Sequence, residues 1–232
     1  MCIRDSTGQG AEVNISITPE LGAFVRLVGI RVTDFSVVIR EPSLDEPLAE
    51  AATALRATDG HDDVTMAVRG LYRRLGIDPT KRRPSSEALL RRVRRGEPLP
   101  RVNALVDVCN WCSVESRLPF GLYDADQIHG VIECRRGRQG EAYSGIRKDD
   151  VNVDGRLVLS DQTGAFGNPS SDSVRTMITS STTSAMVVVF APLDVDSSVV
   201  ASTVDTVTAR VMQFIGPREI MSWAARKQLE AK

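Results

Sequence analysis

The residues best equipped for chemistry fall in two neighbouring stretches. From Arg69 to Arg101 the chain carries eleven arginines and lysines against only Asp78, Glu87 and Glu97, a local charge of +8 in a protein of net charge −1. A concentrated basic segment on an otherwise acidic chain is an electrostatic footprint for a polyanion. Arginine suits phosphate because its planar fork donates two hydrogen bonds at once. Arg91, Arg92, Arg94 and Arg95 are spaced to wrap the outer side of a helix whose inner side holds Leu89, Leu90 and Val93, and Lys81, Arg82 and Arg83 form a basic loop before it. The candidate phosphate contacts are Arg82, Arg83, Arg91, Arg92 and Arg95. A solvated helix face, with cations favoured at the helix C-terminus, accounts for the same pattern, so both readings stand.

The second stretch, Leu99 to Asp124, reads LPRVNALVDVCNWCSVESRLPFGLYD. It sets Asp107, Asn110 and Glu115 on or near an apolar helix. Buried polar side chains need partners, so such residues define either a pocket or a packing network. Cys109 and Cys112 have C-x-x-C spacing, but a zinc site needs a second pair or histidines nearby, and His61 and His129 are the chain's two histidines. The two thiols are read as small apolar groups on a buried face, with no metal and no cofactor expected. Neither histidine stands by a recognisable nucleophile motif, and Gly164-Ala-Phe-Gly167 is explained by a β-turn. Asp172-Ser-Val-Arg-Thr176 places charge and hydroxyls on a loop before a strand-like Met177-Ile-Thr179, a common setting for ligand contacts and equally for a polar turn.

The elements that must position these groups follow from pattern. Val13 to Ile17 alternates as a strand does, and Leu21 to Val38 is Val- and Ile-rich, fitting one or two strands with a bulge at Gly29. Helices are expected over 48–58, 64–75, from a serine cap after Pro84 to Gly96, over 103–116 and over 197–215. After Pro119 short β-rich runs dominate, and Val187 to Phe190 is apolar at every position, as in a strand buried on both faces. Helices early and strands late argue for an α+β fold. Residues 1–10 read as a disordered tail, 11–216 as a single domain and 217–232 as a helical tail. With 232 residues, 42% hydrophobic, the chain can bury a sizeable core without disulfides, and no run approaches a membrane span. Its four cysteines and the absence of a secretory pattern suggest a reduced, cytoplasmic protein.

These motifs together resemble the editing (B3/B4) domain of the bacterial phenylalanyl-tRNA synthetase β subunit, in its free-standing form. The resemblance covers Tyr72 to Val189. The family's VDVxN helix matches Val106-Asp107-Val108-Cys109-Asn110, and its Pro-containing turn matches Leu118-Pro119-Phe120-Gly121-Leu122-Tyr123-Asp124. The segment Gly76 to Glu87, with its Arg-Pro-Ser-Ser-Glu end, and the Asp-Ser-x-Arg-Thr loop resemble free-standing members.

The resemblance implies a three-layer fold with a β-sandwich of mostly antiparallel strands and flanking helices. It also implies a tRNA partner engaged at the aminoacyl end. The synthetase domain hydrolyses tRNA misacylated with tyrosine, in a pocket between the VDVxN helix, the Pro turn and later strands. Carried over, Asn110 matches the pocket Asn, Cys109 stands for the usual Thr, and Gly121 stands where a His contributes to editing. Arg175 and Thr176 lie near the place of the family's pocket carboxylate. The pocket candidates are therefore Asp107, Asn110, Glu115, Gly121, Arg175 and Thr176. Three functions follow: a trans-acting hydrolase of misacylated tRNA, an RNA-binding module without catalysis, and an amino-acid or nucleoside binder.

Overall fold

The computed structural model describes residues 13–58, 62–146 and 149–228, so the expected tail at 1–10 and His61 lie outside the described residues. In chain order the elements are β1 (Ile15–Ile17), α1 (Pro19–Gly22), β2 (Val25–Thr33), α2 (Asp45–Ala57), α3 (Asp63–Arg74), α4 (Ser85–Arg94), α5 (Ala104–Ser116), β3 (Phe120–Asp124), β4 (Ile132–Arg136), β5 (Ala142–Ser144), β6 (Asp150–Asn152), β7 (Leu157–Asp161), β8 (Gly164–Asn168), β9 (Ser171–Asp172), β10 (Ser184–Pro192), α6 (Ser197–Phe214), β11 (Glu219–Ala224) and β12 (Arg226–Lys227).

The fold is organised by β10. All nine of its residues are buried, and it runs antiparallel between β2 and β3 in a four-stranded sheet ordered β11-β2-β10-β3. Successive side chains point to opposite faces. Ala185, Val187, Val189 and Ala191 enter the core that contains Leu48 and Leu55 of α2, Leu105 and Val108 of α5 and Val207 and Val211 of α6. Met186, Val188 and Phe190 enter a second core with Ile15, Ile132, Leu157, Leu159 and Phe166 of a six-stranded sheet, ordered β12-β1-β4-β7-β8-β9. The result is an α+β sandwich of three layers: helices, the four-stranded sheet and the six-stranded sheet. A strand with a core on each side must be apolar at every position, which is why Val187 to Phe190 lacks alternation. Pairing is antiparallel except where β1 runs parallel to β4 and β12.

Several local expectations are corrected. Gly29 is not a bulge: it keeps regular register opposite Val188 and Trp223. A Cβ there would run into the Val187 carbonyl and the Trp223 ring, so the glycine serves close approach. Ser85 is the first residue of α4 and not its cap, because Pro84 takes the cap position and the Ser86 hydroxyl donates to the Arg117 carbonyl at 2.8 Å. Met177–Thr179 is no strand, since the chain makes a 3-10 turn over Val174–Thr176 and then loops to β10. Residues 218–228 are not helical. β11 pairs with the open edge of β2, and β12 with that of β1, where Ile220 and Trp223 suit a pleated surface and two unpaired ladders offer partners.

Gly29→Ala should lower stability by about 1–3 kcal/mol, because its methyl must displace backbone rather than a flexible side chain. The midpoint of urea unfolding measures this, and an unchanged midpoint would refute the close-approach account.

Candidate functional site

The site is framed by α5 and the turn into β3. Asn103 caps α5, its side-chain oxygen accepting the Val106 N–H at 3.0 Å. The helix ends at Arg117, which sits in the left-handed region (φ 63°), a conformation that disfavours a side chain. The strain is offset by the guanidinium itself. It donates to Asp62 (2.9 Å), to the Thr58 hydroxyl (2.9 Å) and to the Val114 carbonyl. Asp62 also caps α3 through the Thr65 N–H (2.7 Å). Leu118 and Pro119 then turn the chain into β3, held by bonds from the Ser113 hydroxyl to the Leu118 carbonyl (2.7 Å) and from the Phe190 N–H to the Pro119 carbonyl (3.0 Å).

On β3, Gly121 and Tyr123 form one packing unit with the facing sheet. Tyr123 is fully buried, and its ring meets Phe166 of β8 edge-on at 5.0 Å between centroids. A Cβ at either Gly121 or Gly167 would collide with the Tyr123 hydroxyl, so two glycines, one per sheet, leave the space that this hydroxyl fills. Burial, and secondarily the charge of Asp172, hold the phenol's pKa well above its ordinary value.

Between α4, α5, β3 and the segment Asp172–Ile178 lies a cavity of about 600 Å³. Helix α5 contributes Val106, Cys109, Asn110 and Ser113, β3 contributes Phe120 and Leu122, and α4 contributes Ser85 and Leu89. Val102, Ile146, Asp172, Val174, Met177 and Ile178 complete the wall. The lining is mainly apolar, with one carboxylate. Asn110 makes no side-chain hydrogen bond to the described residues, leaving its amide for a ligand. Burial raises the Cys109 thiol well above its ordinary pKa and Cys112 to about 11, so neither is a ready nucleophile.

Of the six sequence-based pocket candidates, only Asn110 lines this cavity. Gly121 lies between two lining residues, its own place taken by the Tyr123 hydroxyl. Asp107 is on another face of α5, where it accepts from Arg101 Nε and the Val102 N–H, both at 2.7 Å. Glu115 accepts from Trp111 Nε1 (2.7 Å) and pairs with Arg210 (2.7 Å), which stacks on the Trp111 ring at 3.5 Å. Arg175 is engaged by Asp161 (2.9 and 3.0 Å) and the Gln127 carbonyl (2.7 Å), and Thr176 is fully buried. Sequence reasoning read Ser85 only as part of a helix cap, and from the Asp172–Thr176 loop it took Arg175 and Thr176 as candidates where the cavity is lined by Asp172. The signal was helical spacing: Asn110 shares a stripe with Val106, Cys109 and Ser113, which excludes Asp107 and Glu115.

The basic candidates divide into two groups. Arg92 donates to the Pro98 carbonyl (2.8 Å) and pairs with Glu97 (3.0 Å), and Arg95 holds Glu97 at 2.9 Å. Arg91 is exposed on the outer face of α4. Arg82 and Arg83 line a separate cleft of about 490 Å³ with Lys81 and Arg156. Among the described residues there is no group of His, Cys, Asp and Glu able to hold a metal ion, and no helix long and apolar enough to cross a membrane.

The B3/4 domain family matches residues 67–210, well over half of the chain, and every residue lining the 600 Å³ cavity lies within that span. The chain therefore belongs to the B3/4 domain family. Among curated proteins it is similar to the phenylalanine–tRNA ligase beta subunit of Cutibacterium acnes, 29% identical over 164 residues, covering 67% of this chain and 18% of that protein. It is also similar to the corresponding subunits of Ralstonia nicotianae (39% over 62 residues, 26% of this chain and 8% of that one) and Bartonella quintana (36% over 64 residues, 27% and 8%). The chain thus spans less than a fifth of the length of these relatives. Among solved structures, an N-terminal fragment of the phenylalanyl-tRNA synthetase beta-subunit from Pyrococcus horikoshii matches 92% of this chain and 54% of that one, with a TM-score of 0.48 and 12% identity.

Two outcomes test the local physics. Gly121→Ala should destabilise the protein by about 1–3 kcal/mol, and by less in a Tyr123→Leu background, where the colliding ring is gone. Additive losses in the urea-unfolding cycle would sever the proposed link. The second concerns pH. Burial raises Asp161, but Arg175 and the His129 N–H more than offset it, leaving the carboxyl below its ordinary 3.8. A lowered folded pKa means stability that is complete above 3.8 and lost as pH falls through the lowered value. Urea midpoints from pH 6 to pH 2 should fall below pH 4, and Asp161→Asn should flatten part of that fall.

Proposed function

We propose that this chain is a cytoplasmic protein that binds the aminoacylated end of tRNA in the α4–α5–β3 cavity and hydrolyses mischarged species in trans. The observation carrying this reading is the cavity itself, large enough for an aminoacyl group, built wholly within the family's span and presenting the Asn110 amide beside a single carboxylate, Asp172. The names of the relatives supply the tRNA context.

The chemistry required is modest. An aminoacyl ester is activated, so a positioned water with one hydrogen-bond donor for the developing oxyanion suffices. The water oxygen attacks the ester carbonyl carbon and the bond to the ribose oxygen breaks. The water's proton passes, by way of Asp172, to the departing ribose oxygen, which leaves as a hydroxyl. Asn110 donates to the carbonyl oxygen as its charge grows. The apolar walls from Leu89, Val106, Phe120 and Met177 receive the amino-acid side chain.

One observation favours the non-catalytic reading: Gly121 carries no acid–base group, and its space is filled by Tyr123. A single assay separates the readings. Release of amino acid is followed from a panel of correctly and wrongly charged tRNAs, with and without the protein. Faster release from one mischarged tRNA is expected, and Asn110→Ala should slow it about 10²-fold, the usual loss for one oxyanion donor. Binding without release would leave an RNA-binding module. Neither binding nor release would point to an amino-acid or nucleoside ligand. Undiminished release by both Asn110→Ala and Asp172→Asn would remove the cavity from the mechanism.

A further inference from the structure

We infer that the 490 Å³ cleft between the Asp78–Arg83 loop and the Asn168–Ser171 turn is a phosphodiester subsite, and that it, rather than the outer face of α4, holds the polynucleotide backbone. The inference rests on the tRNA reading above and adds to it the surface that makes contact.

The first argument is availability. Lys81, Arg82 and Arg83 make no side-chain hydrogen bond or ion pair with the described residues. On α4, by contrast, Arg92 and Arg95 are occupied by Glu97 and Pro98 and Arg94 donates to the Thr58 carbonyl, which leaves Arg91 as the one α4 arginine with no side-chain partner among the described residues. A guanidinium already paired has part of its charge and donor fork committed, so it gains less from a phosphate. Arg82 and Arg83 carry no such commitment, while Arg156 spends one N–H on the Asn152 carbonyl.

The second is pre-organisation. Asp78 ties the basic loop into a tight turn, accepting the Thr80 N–H (2.8 Å) and hydroxyl (2.7 Å), while the Arg82 N–H donates to the Asp78 carbonyl (2.9 Å). The loop is pinned to the opposite wall: the Ser170 hydroxyl donates to the Arg83 carbonyl (3.2 Å) and shares a hydrogen bond with Tyr72 (2.8 Å). Arg156 adds a fourth cation to the lining. Two carboxylates, Asp149 and Asp150, also line the cleft, the latter accepting from the Ser144 hydroxyl at 3.1 Å. Four cations against two anions leave a net positive surface, suited to a diester passing along the arginine side.

The third is continuity. The same loop that gives Arg83 to the cleft gives Ser85 to the cavity, and the turn that gives Ser171 to the cleft gives Asp172 to the cavity. The two segments that line both spaces are fastened together by the Ser85 N–H to the Pro169 carbonyl (3.2 Å) and by the Ser170 hydroxyl to the Arg83 carbonyl. A chain end seated in the cavity therefore has its preceding phosphates beside the cleft.

The test measures binding of unacylated tRNA to the full chain by fluorescence anisotropy across a salt series. Arg82→Glu/Arg83→Glu should weaken binding at least tenfold and reduce the log–log salt slope by about 1.4, the value for two single-strand phosphate contacts. Arg91→Glu/Arg95→Glu should change it less than twofold. Both pairs lie at the surface, and unchanged circular dichroism checks their folding. If the α4 pair abolishes binding and the cleft pair does not, the cleft assignment is wrong while the tRNA reading stands. If wild type binds no tRNA, the reading beneath it fails too. Full displacement of tRNA by excess adenosine monophosphate would assign the cleft to a free nucleotide and overturn the proposal.

Discussion

The phenol of Tyr123 is the constraint to which the rest of the site conforms. Its ring belongs to the four-stranded sheet, yet it packs edge-on against Phe166 of the six-stranded one. Its hydroxyl fills the gap that Gly121 and Gly167 leave and stands near Asp172. An aromatic pair of this geometry contributes about 0.5–1.5 kcal/mol beyond its buried area. The larger consequence is positional. The phenol sets the spacing of the two sheets, bars any side chain at position 121 and stands behind the one carboxylate of the cavity wall. The glycine in the Pro turn is thus more than a missing functional group: a different residue uses its space.

The layered fold was legible because its signals are strong and local. The run of apolar residues at Val187 to Phe190 predicts a strand with a core on each side, and β10 has two. The helices were marked by 3.6-residue spacing, and α5 in particular by Asn103 before an apolar stretch. What failed depends on distant partners. Nothing within residues 217–232 reveals that β2 and β1 have open edges waiting for β11 and β12, so intrinsic helical tendency gave the wrong answer there. Gly29 looks like a bulge until Trp223 is known to lie over it.

The site was legible to a smaller extent. Asn110 was found because the VDVxN resemblance points at it, and the helix stripe would have added Cys109 and Ser113. Asp107, Glu115 and Arg175 were drawn in as polar residues near an apolar helix or loop, whereas each is occupied by a charged partner: Arg101, Arg210 and Asp161. A polar residue that completes a network looks, in sequence, the same as one that meets a ligand. The basic segment shows the same ambiguity, since Arg92 and Arg95 pair with Glu97 at the surface while Arg82 and Arg83 line the cleft with no such partner.

The strands β11 and β12 are consecutive in the chain but join different sheets, one pairing Ile220 with Val32, the other Arg226 with Ser16. Such pairings are among the most non-local a chain of this length can make, and loop closure must be met before they return any stability. On the ribosome, β1 and β2 emerge early and must wait with a ladder unsatisfied until residue 227 has cleared the exit tunnel. Through that interval the nascent protein offers two sticky edges to its neighbours. The same short segment that closes both sheets thus sets the period during which a chaperone, or another copy of the chain, competes for them.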